Sequence, residues 1–145
     1  MELLAMREFT HSDKKKPAAP RVLVVDDEAL IRWSVSETLT DFGCNVVEAG
    51  NAFAAKAAVA TDRFDVVLLD FRLPDSDDLS LLASIRVAMP DAQVIMMTAF
   101  GRPDVVEGAL ELGAYRVISK PFEMDVLADL VAGAYAARSY RSRPN

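Results

Sequence analysis

Apolar runs and helical spacings take turns along this chain. Val22 to Val25 is a short, uniformly apolar run, the mark of a strand buried on both faces. A helical spacing follows from about Ala29, with Ile31, Val35, Leu39 and Phe42 on one face and Gly43 placed to end it. "CNVVEA" (44–49) predicts a second strand, and Asn51 is set to cap an Ala-rich helix running to about Thr61. "DVVLLD" (65–70) predicts a third strand, apolar enough to be covered on both sides. A helix from about Asp78 to Ala88 carries Leu79, Leu82, Ile85 and Met89, with Pro90 just past its end. "QVIMMTA" (93–99) predicts the fourth strand. A helix over Arg102–Leu112, begun near Pro103 and closed by Gly113, comes next. "AYRVIS" (114–119) predicts the fifth strand, and a last helix from about Glu123 to Arg138 aligns Leu127, Leu130, Val131 and Ala134.

Five repeats of strand then helix, joined by short connections, predict an α/β domain. Its sheet is parallel, with crossover helices on both faces. The chain's 145 residues suit one core of this kind and leave little for a second. The expected division is a flexible arm over 1–20, one domain over 21–138 and a tail over 139–145. No apolar run approaches the ~20 residues that span a bilayer, and the first residues lack an apolar stretch followed by a small-residue cleavage site. Cys44 is the only cysteine, so an internal disulfide is excluded; this fits a reducing compartment, and a cytoplasmic location is expected.

Charge sharpens the picture. Of 16 basic and 22 acidic residues, seven basic and three acidic ones lie in 1–20 and 138–145. The body between them therefore holds nine against 19, a formal charge of −10. Such a surface is a poor direct ligand for nucleic acid, whose phosphates need Lys and Arg; it suits a cation or a basic protein surface. The Lys14–Lys16 run beside "PAAP" reads as a solvated linker, and His11 has no neighbours of a metal or catalytic set.

The polar residues at the strand ends carry the chemistry, because sites in open parallel α/β sheets form beyond the carboxyl ends of the strands. Strand one ends in Asp26–Asp27, strand three in Asp70, strand four in Thr98 and strand five in Ser119–Lys120–Pro121. Two adjacent carboxylates repel each other and resist burial, so something must neutralise them. Three clustered carboxylates point to a hard divalent cation such as Mg²⁺, which takes oxygen ligands. A hydroxyl and an ammonium facing the same pocket suit a phosphoryl group. A carboxylate can itself act as nucleophile and carry an acyl phosphate, and Asp70, ending the buried central strand, is the best placed. A single Asp or Thr would merely end a strand; five such residues at four strand ends read as a site.

Over roughly 21–137 the chain resembles a two-component receiver domain, through "LVVDDE", "VVLLDFRLPDSDDL", "MMTAFG" and "GAYRVISKPF" in that order and spacing. "DDEALIRWSV", "DFRLPDSDDLSLL" and "GAYRVISKPFEM" further resemble the receivers of NtrC-class activators of transcription. The resemblance implies a flavodoxin-like fold with strand order 2-1-3-4-5. It implies that Asp70 accepts a phosphoryl group from a sensor histidine kinase or a phosphotransfer protein. Asp27, Asp70 and the backbone carbonyl of Arg72 would bind Mg²⁺ directly, and Asp26 through water. Thr98 and Lys120 would contact the phosphoryl oxygens and report the new charge to the fourth helix and fifth strand, with the Lys120–Pro121 bond cis. Implied too are an output domain or partner controlling transcription, and a possible homodimer through the fourth helix, fifth strand and fifth helix. No direct nucleic-acid binding by this domain and no membrane contact are expected.

Two departures from the family pattern stand out. Receivers usually carry Tyr or Phe three residues before the Lys, as a rotating reporter of activation; here that position is Val117, and the aromatic is Tyr115, expected on the same alternating face and to pack or meet solvent. "PDSDD" (74–78) stands where many members have a Pro-Gly turn, and is expected to be a solvated turn in which Asp77 or Asp78 caps the next helix. Trp33 is expected to pack, and Phe100 and Gly101 to flank the pocket rim. The alternative function is a Mg²⁺-dependent phosphatase with an aspartyl nucleophile; such enzymes usually place a second Asp two residues on, where this chain has Arg72. A nucleotide-binding module is disfavoured, since no G-x-G-x-x-G or G-x-x-x-x-G-K-[ST] occurs.

Overall fold

Residues 19–99 and 102–142 are described by the structure, a computed structural model. Its strands are β1 (Arg21–Val25), β2 (Asn45–Ala49), β3 (Val66–Asp70), β4 (Gln93–Thr98) and β5 (Arg116–Ser119). All pair in parallel in the order β2-β1-β3-β4-β5. The helices are α1 (Ala29–Asp41), α2 (Ala52–Thr61), α3 (Ser80–Ala88), α4 (Pro103–Glu111) and α5 (Met124–Ser142). Each expected element is present in its expected order.

Strand alternation divides the core in two. Leu23, Val25, Val67, Leu69, Val94 and Met96 face one side and pack with Ala55, Leu82, Ile85 and Ala109 of α2, α3 and α4. Val22, Val24, Val66, Leu68, Ile95 and Met97 face the other and pack with Val35, Leu39, Leu127, Val131 and Ala134 of α1 and α5. The central strands carry unbroken apolar runs, Val22–Val25, Val66–Leu69 and Val94–Met97, because both faces are covered. Each fully buried Val, Leu or Ile contributes about 1.5–3 kcal/mol.

Register carries this order to the carboxyl edge. Val25 pairs with Leu69 and Asp70 with Met97, so Asp26 and Asp70 emerge side by side. Thr98 pairs with Ser119, which brings Lys120 in next.

The helix ends follow local chemistry. The Asn51 side chain accepts from the Ala54 N–H at 2.7 Å, the expected cap of α2. Gly43 and Gly113, at φ 92° and 99°, turn the chain out of α1 and α4 in the left-handed region that glycine enters without strain.

Some expectations are revised. Phe42 is 63% exposed and ends α1 as its C-cap, while Cys44 turns inward in its place. Trp33 is 57% exposed and does not pack in the core. Leu81 joins Leu82 and Ile85 in the core. The last helix runs on to Ser142 instead of ending at Arg138, because nothing in "SYRS" breaks it and the proline comes later, at Pro144. Cys44 is buried, which raises its thiol pKa and makes it a poor nucleophile. Among the described residues no helix is long and apolar enough to cross a membrane. His11, Lys14–Lys16, Phe100, Gly101 and nearly all of the 1–20 arm lie outside the described residues.

Candidate functional site

The strand ends converge on one acidic cluster. Asp26 is fully buried and Asp70 nearly so, while Asp27 is exposed. One carboxylate oxygen from each lies within 4.8 Å of the others. Lys120 enters from the end of β5 and is itself largely buried. Its Nζ lies 2.8 Å from Asp26 Oδ2, 3.1 Å from Asp70 Oδ2 and 3.1 Å from Glu28 Oε1. The repulsion between the paired aspartates is thus met in part by one ammonium. Four carboxylates around one ammonium still leave a formal excess of three negative charges.

Backbone and arginine contacts fix the aspartates. The Glu28 N–H donates to Asp26 Oδ1 at 2.9 Å, and the Asp26 N–H donates to the Ala49 carbonyl at 3.1 Å. The Arg32 guanidinium donates to the Asp26 carbonyl at 2.7 Å and to Glu48 Oε1 at 3.0 Å, tying α1 to the ends of β1 and β2. The Arg72 N–H donates to Asp70 Oδ1 at 3.3 Å. The Lys120 N–H donates to the Thr98 carbonyl at 2.7 Å, joining the ends of β4 and β5. The Lys120–Pro121 peptide is cis.

Burial and charge set the protonation states. Burial raises the Asp70 carboxyl to about 6; the Lys120 ammonium opposes this, and the Asp26 charge adds to it. Burial pulls the Lys120 ammonium down, but its close ion pair with Asp26 and the charge of Asp70 outweigh that. Its pKa therefore stands above the usual lysine value. At neutral pH the lysine stays charged, and Asp70 is largely ionised at an energetic cost.

Above these groups opens a cavity of about 550 Å³, lined by Asp27, Glu28, Asp70, Phe71, Arg72, Leu73, Pro74, Asp77, Thr98, Ala99, Arg102 and Lys120. Asp27, Asp70, Arg72, Thr98 and Lys120, all expected at the site, line it, and Asp26 lies behind them as the buried partner of Lys120. The cluster fits a hard divalent cation in donor type and charge: three oxygen donors are already gathered, and two positive charges would offset most of the excess. The open volume beside Thr98 and Lys120 has room for a phosphoryl group.

Four features were missed, left open or misplaced by the sequence reading. Glu28 contacts Lys120; its signal was the third acid of "DDE", next to the pair. Asp75 is no free turn residue, since its carboxylate accepts from the Ala52 and Phe53 N–H groups at 2.8 and 3.0 Å. Of the two acids expected to cap α3, Asp78 accepts from the Ser80 N–H at 2.9 Å, whereas Asp77 lines the cavity. Tyr115 and Val117 lie on opposite faces of the sheet. Val117 packs with the α2–α4 side and Tyr115 with the α1 and α5 side, its hydroxyl close over Gly133. β5 begins only at Arg116, so strand alternation does not reach back to Tyr115. Tyr115 therefore packs, as expected, but not on the face where Val117 replaces the family's aromatic.

Comparisons with known proteins agree with this geometry. The family model for the response regulator receiver domain matches residues 22–132, well over half of the chain. The sporulation initiation phosphotransferase F of Bacillus subtilis is 35% identical over 111 residues, covering 77% of this chain and 90% of that protein. The DNA-binding transcriptional regulator NtrC of Salmonella typhimurium is 37% identical over 125 residues, covering 85% of this chain but 26% of the regulator. The chain thus spans nearly all of the first relative and about a quarter of the second. Among solved structures, the receiver domain of NtrX from Brucella abortus superposes with a TM-score of 0.74 at 36% identity, covering 79% of this chain and 98% of that one. A CheY-like receiver domain protein from Methanospirillum hungatei JF-1 gives a TM-score of 0.83 at 26% identity, covering 86% and 99%. On its sequence, strand order and acidic edge, this chain belongs to the response regulator receiver domain family, the phosphoacceptor switches of two-component signalling, with NtrC-class receivers among its relatives.

Proposed function

We propose that this chain is a phosphorylation switch whose acceptor is Asp70. The single observation that supports this best is the placement of the Asp70 carboxylate. It lines a 550 Å³ cavity, 3.1 Å from the Lys120 ammonium and within 4.8 Å of two further carboxylates.

In this reading Asp27, Asp70 and the Arg72 carbonyl would hold Mg²⁺ directly and Asp26 would do so through water. When bound, the ion offsets charge on the transferring phosphoryl oxygens and on the acceptor. Asp70 attacks phosphorus in line. Its Oδ–P bond forms as the P–N bond of a donor phosphohistidine breaks, and the electron pair leaves on the imidazole nitrogen. Lys120 turns from Asp70 toward the new phosphoryl oxygens, and the Thr98 hydroxyl donates to them. The modification adds about −1.5 to −2 charge. Because Lys120 and Thr98 are bonded through the backbone at 2.7 Å, movement at either is transmitted to the ends of β4 and β5 together. The responding surface in this reading is α4, β5 and α5. Val117 rather than an aromatic sits within it, so the switch works without a rotating ring at that position. The donor is a sensor histidine kinase or a phosphotransfer protein. The output is an attached domain or partner, in line with relatives about three times as long that are named as transcriptional regulators, and a homodimer through the responding face is one form it can take. Residues 21–138 form the receiver body in the cytoplasm, flanked by the 1–20 arm and the 139–145 tail.

Incubation with Mg²⁺ and acetyl phosphate followed by intact mass measurement tests this. The expected result is one labile phosphoryl group, lost in Asp70→Asn and in excess chelator. Steady hydrolysis of a phosphoester without a stable adduct would instead support an aspartyl-nucleophile phosphatase.

A further inference from the structure

The loop that follows Asp70 is a closed unit fastened at two points. The Leu73 N–H donates to the Ser76 carbonyl at 2.8 Å and the Ser76 N–H donates back at 3.2 Å, so residues 73–76 form a tight turn. One fastening is apolar: the Leu73 side chain is buried in the core on the α2–α4 side. The other is polar and reaches a different element. Both oxygens of Asp75 accept backbone N–H groups of the first turn of α2, Ala52 at 2.8 Å and Phe53 at 3.0 Å.

These bonds complete the accounting at that helix end. The N–H groups of the first turn have no intrahelical partners. The Ala54 N–H is taken by the Asn51 side chain, and the Ala55 N–H by the Asn51 carbonyl. Among the described residues, only Asp75 serves the first two. The arrangement also places a carboxylate at the positive end of the helix. The Asp75 carboxyl is accordingly held below the usual range, the Ala52 N–H contributing most.

The loop so fastened carries Arg72, whose N–H donates to Asp70 and whose carbonyl faces the cation in the function proposed above. We propose that Asp75 is a positioning residue for the cation site: it locks the loop after β3 to the N-terminus of α2, and thereby holds Arg72 where Asp70 and the cation need it. This rests on the reading of Asp70 as the centre of a Mg²⁺ site. Loop and helix are then one coupled element, and coupling between two sites is reciprocal. Mg²⁺ binding at the acidic cluster must tighten the first turn of α2, and loosening that turn must weaken Mg²⁺ binding.

The test uses Mg²⁺ alone as probe on the full chain, with Asp75→Ala and Asp75→Asn. Asp75 is exposed, and neither substitution enters the core. Titration calorimetry is expected to show Mg²⁺ affinity reduced on the order of tenfold in Asp75→Ala, the scale on which partners behind metal ligands act. Asp75→Asn recovers part of it, since its amide oxygen still accepts one N–H. Amide hydrogen exchange supplies the readout that a purely structural cap would not move. Mg²⁺ is expected to slow exchange at Ala52 and Phe53 in the wild type and to leave it unchanged in Asp75→Ala. Wild-type affinity in Asp75→Ala, or exchange at these amides indifferent to Mg²⁺ in the wild type, overturns the proposal while leaving the acidic site intact. Failure of the wild type itself to bind Mg²⁺ overturns the reading of the site, and the proposal with it.

Discussion

Replacing Asp70, the proposed acceptor, should make the metal-free protein more stable. Asp70 is buried beside Asp26, and its carboxyl titrates at about 6 in the fold against 3.8 for the free group. At about 1.36 kcal/mol per tenfold change in proton affinity, that rise means that holding Asp70 ionised costs the native state about 3 kcal/mol near neutral pH. The sign follows from the direction. A carboxyl raised on folding stabilises the native state below its unfolded pKa, and this contribution is lost as pH rises toward and through 6. Asp70→Asn keeps the shape and removes the charge. It weakens one contact of Lys120, at 3.1 Å, but leaves that ammonium with Asp26 at 2.8 Å and Glu28 at 3.1 Å. The rise to about 6 already includes the attraction of Lys120, so no separate contact is subtracted, and the variant is expected to be about 2–3 kcal/mol more stable at about pH 7.5 in chelator. With slopes of about 1–3 kcal/mol per molar urea, the unfolding midpoint rises by about 1 M. At about pH 4 the wild type is protonated at Asp70 in the fold, and the advantage should vanish. Urea unfolding of both proteins at the two pH values, in chelator throughout, measures this. A variant no more stable than the wild type near neutral pH, or an advantage equal at both, would refute the argument from burial and like charge.

The cation and the lysine should show the same electrostatics from other sides. Mg²⁺ at about 100 times its dissociation constant should stabilise the wild type by about 2.7 kcal/mol, and Asp70→Asn by much less; thermal unfolding with and without Mg²⁺ reads the difference. Lys120→Ala leaves Asp26 fully buried with its 2.8 Å ammonium gone, so a loss of about 3–5 kcal/mol is expected in chelator, measured by urea unfolding, with part of it restored by Mg²⁺.

Periodicity made the fold legible. Continuous apolar runs such as Val66–Leu69 and Val94–Met97 fit strands covered on both faces, with helical spacings between them, while "CNVVEA" is mixed because β2 is an edge strand with Asn45 and Glu48 exposed. The site was legible for a related reason: parallel strands share one carboxyl edge, so Asp26, Asp27, Asp70, Thr98 and Lys120 had to converge once the elements were placed. What remained hidden depends on contacts that spacing does not encode. Asp75 meets backbone N–H groups 22 and 23 positions earlier in the chain, and a loop carboxylate carries no local sign of which helix end it will reach. Glu28 meets Lys120 across 92 positions. Tyr115 was misplaced because alternation was extended one residue beyond the strand, whose pairing begins at Arg116. Phe42 and Trp33 fit a helical count yet lie outside the buried stripe, which on α1 is carried by Val35 and Leu39.

The most direct test of the central claim locates the phosphoryl group chemically. The protein is treated with acetyl phosphate and Mg²⁺, reduced with borohydride to convert any acyl phosphate to the alcohol, digested and sequenced by mass spectrometry. Homoserine at position 70 alone, absent without Mg²⁺, is the predicted result. Homoserine at 26 or 27, or none at any aspartate in a protein that binds Mg²⁺ and is exposed to donor, contradicts Asp70 as the acceptor of this switch.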